Sequence, residues 1–135
     1  MYNVKYYRKA NLDEVSILAE QLYSTYEYPR QEFTLAEYIK IVLHSIDGDS
    51  MFTCYSPSGA VLGGISTSRI MYDPHIRGLG VHITNFVVPD NPEYKGVAKF
   101  LLRHFRSTLE GLDWYSTTHR RGRSTLSTRY WRLHG

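Results

Sequence analysis

Cysteine is nearly absent: Cys54 is the single one in 135 residues. One thiol excludes an internal disulfide framework and suits a reducing compartment. Long apolar runs are also missing, and none approaches the roughly 20 residues a membrane-spanning helix needs. No charged segment followed by an apolar stretch opens the chain, so a soluble, cytoplasmic protein is expected. Proline is scarce, at five residues. No linker-like Gly/Ser/Pro stretch, internal repeat or low-complexity tract divides the sequence, so residues 1–135 read as a single domain. The histidines at 44, 75, 82, 104, 119 and 134 show neither HExxH nor paired-Cys spacing, which leaves a metal site unsupported. A GxSxG nucleophile elbow is likewise lacking.

Acidic residues are abundant in one part of the chain and scarce in another. Residues 1–94 hold 7 Lys/Arg against 11 Asp/Glu, a balance of −4, and residues 95–135 hold 9 against 2, a balance of +7. The last third is therefore expected to meet something anionic: a phosphorylated cofactor, nucleic acid or an acidic partner.

What is present begins with YNVKYYRK at 2–9, a first strand by its Tyr and Val content. Asn11 caps a helix with Asp13 and Glu14 in its first turn, and Val15, Leu18, Ala19, Leu22 and Tyr23 repeat at helical spacing until Pro29. TLAE at 34–37 is a capping box that opens a second helix with a stripe from Leu35 to Ile46. MFTCYS and AVLGGISTSRIMY flank the turn SPSG and predict a hairpin. HIRGLG reads as a loop, VHITNFVV at 81–88 as the fourth strand, and GVAKFLLRHFRSTLEGL as a third helix with Val97, Leu101, Phe105 and Leu109 buried. DWYSTTH and STLSTRYWRL close the chain as two strands. The order β-α-α-β-β-β-α-β-β predicts an α/β (α+β) layer, largely antiparallel, with one right-handed βαβ crossover through the third helix.

The stretch FVVPDNPEYKGVAKFLLRHF, residues 86–105, places a nearly side-chain-free step between the fourth strand and that helix. A helix start exposes N–H groups its own ladder leaves unpaired, and with the helix dipole they make an anion site where the backbone can be approached. Gly96 and Ala98 keep bulk away, and Lys95 and Lys99 add positive charge at the rim.

In these residues the chain resembles the GNAT superfamily of N-acetyltransferases. That family ends its fourth strand in a valine, passes through a pyrophosphate loop of the form Arg/Gln-x-x-Gly-x-Gly/Ala, and enters a long helix. Here Val88 precedes Gly96 by eight positions, as in the family, and Glu93-Tyr94-Lys95-Gly96-Val97-Ala98 fills the loop. Glu93 stands where Arg or Gln is usual. The resemblance covers roughly residues 3–119 and includes the element order. Beyond 119 the family usually adds a fourth helix, which is missing or vestigial here; the abbreviated end resembles short bacteriophage members.

The resemblance implies acetyl-CoA as co-substrate, lying where the fourth and fifth strands splay. Main-chain N–H groups at Phe86, Val87 and Val88 would face the thioester carbonyl, and those of Tyr94, Lys95, Gly96, Val97, Ala98 and Lys99 would hold the pyrophosphate. An amine would attack directly, leaving Cys54 as a small buried filler. An amine must first shed a proton. His82, which alternates onto one side of the strand with Thr84, is the candidate base, with Glu93 second. For protonating the departing thiolate, Tyr115, Tyr130 and His119 are the candidates.

HRRGRSTLSTRYWRLHG interleaves Arg120, Arg121, Arg123, Arg129 and Arg132 with Tyr130 and Trp131. Arginines beside aromatic faces suit nucleic acid, a CoA phosphate or an acidic protein. The alternative to an enzyme is thus a GNAT-fold binding or assembly module that uses a basic C-terminal hairpin.

Overall fold

The computed structural model describes residues 1–121 and 125–133. Its elements are β1 (Asn3–Tyr7), α1 (Leu12–Thr25), α2 (Glu27–Glu32), α3 (Leu35–Ser45), β2 (Ser50–Tyr55), β3 (Val61–Thr67), β4 (Met71–Asp73), β5 (Gly78–Val87), α4 (Val97–Ser107), β6 (Trp114–Arg121) and β7 (Thr125–Arg132). Seven strands form one sheet in the order β1-β2-β3-β5-β6-β7, with β4 paired to β5. Every pairing is antiparallel except β5–β6, which α4 bridges as the βαβ crossover.

Alternation along the strands sorts the core into two layers. Phe52, Cys54, Ile65, Val81 and Ile83 face α4 and meet its buried row of Val97, Leu101 and Phe105, with Leu109 just beyond. Met51 and Val61 face the other way, toward Val15 and Leu18 of α1 and Ile46 after α3. Each such apolar side chain contributes about 1.5–3 kcal/mol when buried. The helix starts are those expected: Asn11 accepts from the Glu14 N–H, and Thr34 and Glu37 close a full capping box. No residue of α3 is fully buried, and its apolar stripe supplies the half-buried Val42 and Leu43 to the α1 layer.

Four expectations are corrected. Pro29 lies inside the short helix α2 rather than ending α1; it sits in the first turn, where a missing N–H costs no helical bond. The long arm predicted over 60–72 is split into β3 and β4, because β3 pairs with the upper half of β5 and β4 with its lower half. The strand predicted to start at 81 begins at Gly78, so the GLG of HIRGLG is sheet, not loop. The third predicted helix, α4, stops at Ser107, though Leu109 stays buried beyond it. Three residues separate β6 from β7, which leaves no room for a helix between them. Among the described residues, no helix is long and apolar enough to cross a membrane.

Candidate functional site

β5 changes neighbours halfway along its length. Gly80, Val81 and His82 ladder in parallel with Trp114, Tyr115 and Ser116. Beyond that rung β5 pairs with β3 alone, through Thr67↔Ile83, Ser66↔Asn85, Ile65↔Phe86 and Gly64↔Val87. Meanwhile β6 continues beside β7 as far as Arg121↔Thr125. The two strands therefore part immediately after His82 and Ser116. A register shift between Ser66 and Thr67 leaves Thr84 as an extra residue, and such a bulge bends a strand and raises its twist. A strand paired on one side only turns alternate N–H and C=O groups into the open gap, which places main-chain groups from 83 to 87 along it.

The gap leads upward to the step that opens α4. Asn91 turns the loop, accepting from the Glu93 N–H through its side chain (3.0 Å) and from the Tyr94 N–H through its carbonyl (3.1 Å). Tyr2 pins the loop from the sheet: its hydroxyl donates to the Lys95 carbonyl at 2.6 Å, and its ring packs edge-on against Tyr94 and Phe100. Gly96 caps the helix at φ 74°, a left-handed conformation suited to glycine. Nothing lies within 4 Å of where a Cβ on Gly96 would sit. Among the described residues, the N–H groups of Lys95 through Lys99 meet no acceptor. Lys95, Ala98 and Lys99 are exposed while Val97 anchors the turn in the core. An uncovered row of donors ahead of a helix ladder, flanked by two ammonium groups, fits a diphosphate. Glu93 is exposed on the same loop.

Of the strand residues expected to face the donor, Phe86 is 39% exposed and Val88 is half-buried against the α4 core. Gly63 shapes this end of the strand. A Cβ there would fall 2.9 Å from both the Val87 carbonyl oxygen and Val88 Cγ2, closer than atoms tolerate.

His82 occupies the vertex where the strands part. Its Nδ1 lies 2.7 Å from Ser116 Oγ and its Nε2 3.3 Å from Thr118 Oγ1. A neutral imidazole has one donor and one acceptor nitrogen, and a hydroxyl takes either role. Both ring nitrogens thus have a hydroxyl through which a proton can enter or leave. Beside this pair runs a second polar chain: Asn85 Nδ2 donates to Ser66 Oγ (3.0 Å), Ser66 Oγ lies 2.7 Å from Thr84 Oγ1, and Thr84 donates to Asp49 (2.6 Å). Sequence reading found His82 and Thr84 by alternation. It missed Ser66, Asn85, Asp49, Ser116 and Thr118, because their neighbours come from other strands and carry no local signal.

The two tyrosine candidates separate. Tyr130 pairs across β7 with Ser116, which itself pairs with His82, so the three form one row on one face. Strands are about 4.8 Å apart, which puts His82 and Tyr130 about 10 Å from each other along the backbone. Partial desolvation and the neighbouring Asp73 carboxylate hold the Tyr130 phenol protonated above its ordinary range. Asp73 is held low, chiefly by the His75 main-chain N–H. Tyr115 points to the opposite face, 3% exposed, edge-on to Phe105 and stacked on Trp131. It is core, and the structure does not bring it to His82. Arg120 and Arg121 occupy the last two positions of β6, in register with Leu126 and Thr125; Arg123 lies outside the described residues. His119 pairs in register with Ser127. Cys54 is fully buried, and burial pushes its thiol up to about 11, which disfavours a nucleophilic thiolate.

No protein-family model matches the chain, and no curated protein matches its sequence. Solved structures do match. A GNAT family acetyltransferase from Brucella melitensis, solved with acetyl-CoA, aligns with 100% of this chain and 90% of its own at TM-score 0.63 and 12% identity. A putative acetyl transferase from Pyrococcus furiosus aligns with 92% of this chain and 86% of its own at TM-score 0.62 and 17% identity. An aminoglycoside acetyltransferase from an uncultured soil metagenomic sample, solved with sisomicin, covers 89% of this chain and 78% of its own at TM-score 0.62 and 11% identity. The chain has the GNAT fold.

Proposed function

We propose that this chain is an N-acetyltransferase that moves an acetyl group from acetyl-CoA directly to an amine. The observation that carries the reading is the end of the β5–β6 ladder at His82↔Ser116, which opens a gap running up to the uncovered N–H groups at Gly96. This supports a reading in which a binding site and a set of proton-handling side chains share one cleft.

In that reading, Lys95 to Lys99 hold the diphosphate through main-chain donors and two ammonium groups. Unpaired N–H groups between Ile83 and Val87 offer donors to charge developing on the acyl oxygen, inside a cleft where such donors act strongly. Bound acetyl-CoA supplies an activated acyl group with a thiolate leaving group. His82 takes a proton from the incoming ammonium and holds it as an imidazolium, whose N–H groups donate to Ser116 Oγ and Thr118 Oγ1. Tyr130, in the same row and held protonated beside Asp73, would return a proton to the leaving sulfur. Cys54 takes no part.

Isothermal titration with acetyl-CoA tests the reading. Binding in the micromolar range is expected, and Gly96→Val should weaken it at least tenfold while the circular dichroism spectrum is unchanged. No heat and no thermal shift at millimolar acetyl-CoA would remove the enzyme and leave a binding module with a basic C-terminal end.

A further inference from the structure

At the opposite end of α4 from Gly96, the sheet carries a second concavity that acetyl transfer does not use. It encloses about 970 Å³, at the upper end of the range typical of small-molecule sites. Phe52, Val81 and Leu109 form an apolar floor, and the 62% exposed Ile70 stands at its side. Arg8, Lys9 and Arg69 rim it, and no Asp or Glu lines it.

Three observations converge on what it would hold. First, the N-terminal 94 residues carry a net −4 yet place three of their seven cations here. Second, among the described residues no carboxylate pairs with Arg8, Lys9 or Arg69; the ion pair present is His75–Asp73. Third, the cations straddle a gap. Arg8 and Lys9 follow the end of β1 and Arg69 follows the end of β3, with the start of β2 between them. Two strand spacings amount to about 10 Å, so an anionic head entering above Ser50 meets positive charge from both sides. The hydroxyls beneath are already engaged: Tyr6 donates to Ser50, and Ser50 donates to the Arg8 carbonyl. Recognition thus falls to the three cations and the apolar floor.

We propose that this groove binds a small amphipathic carboxylate, its apolar body on Phe52, Val81 and Leu109 and its head between Arg8 and Arg69. The site is separate from the cofactor cleft. Gly96 caps one end of α4 and Phe105, nine residues on, lines the groove, a helical distance of about 14 Å.

Calorimetric titration of the full chain with octanoate, octanol and inorganic phosphate tests this. Octanoate should bind at one saturable site, with octanol and phosphate each at least tenfold weaker. Arg8→Glu/Arg69→Glu should weaken octanoate at least tenfold; Lys9→Ala/Arg69→Ala is a milder second variant expected to act in the same direction. Arg106→Glu, outside the groove, should leave affinity within twofold, and saturating acetyl-CoA should not displace octanoate. The proposal is overturned if octanoate does not bind, or if octanol or phosphate binds equally well. Undiminished binding by both groove variants, or displacement by acetyl-CoA, would overturn it too.

Discussion

The two halves of β5 are built on opposite plans. In the lower half the strand is held by β4 from Gly78 to Gly80 and by β6 from Gly80 to His82, and Trp114 packs so closely that Gly80 has no room for a side chain. From Ile83 to Val87 it is held by β3 alone, carries a bulge, and shows a free side to the gap. One strand is therefore a clamp below and an opening above. The lower half fixes where the vertex lies, and the upper half turns main-chain groups without a β6 partner into the gap.

That contrast can be attacked from both sides. The largest effect should come from Gly80→Val, whose side chain would overlap the Trp114 ring. A loss of about 3 kcal/mol in urea unfolding is expected, and a change below about 0.5 kcal/mol would show that the clamp is soft. At the vertex, His82→Gln should cut acetyl transfer about 100-fold with the KM for acetyl-CoA within twofold. A loss under threefold would take His82 out of the proton path.

The sealed layer behind the strand predicts a pH effect. The Cys54 thiol is raised by burial from near 9 to about 11, so the folded state keeps its proton longer than the unfolded chain. Stability is then fully present below pH 9 and lost as pH rises through 11, by ~2–3 kcal/mol. Tyr55, raised by burial and by its bonds to Glu14 and Tyr7, adds loss of the same sign at higher pH. Cys54→Ala should flatten the slope of urea midpoints between pH 9 and 10, and an unchanged slope would assign it elsewhere. The smallest effect is expected from Gly63→Ala, which presses on Val87 and Val88. It should cost about 1 kcal/mol of stability but weaken acetyl-CoA several-fold, because it displaces the free half of the strand. Unaltered affinity would separate that strand end from the binding site.

Much of this architecture was legible along the chain. The capping box at Thr34, the Asn11 cap and the Val97–Leu101–Phe105 row are local patterns, set by hydrogen-bond reach within a turn and by the 3.6-residue period. The Gly96 step was legible because a helix start needs no distant partner to expose its donors. The GLG of β5 was misread because glycine ordinarily signals a loop. Here Gly78 and Gly80 lie in a strand to admit Asp113 and Trp114 from more than 30 positions away. The same blindness hid the hydroxyls around His82, and it left Tyr115 and Tyr130 as equals although they face opposite sides of the sheet.

By itself, then, the order of residues determined the three longer helices, their caps, the strand-to-helix step and the uneven charge. These depend on neighbours within a few positions. The folded chain alone decided where β5 and β6 part, which tyrosine shares a face with His82, and that Arg69 joins Arg8 and Lys9 at one groove. Those relations arise from strand register, which joins residues whose separation along the chain says nothing of their distance in space.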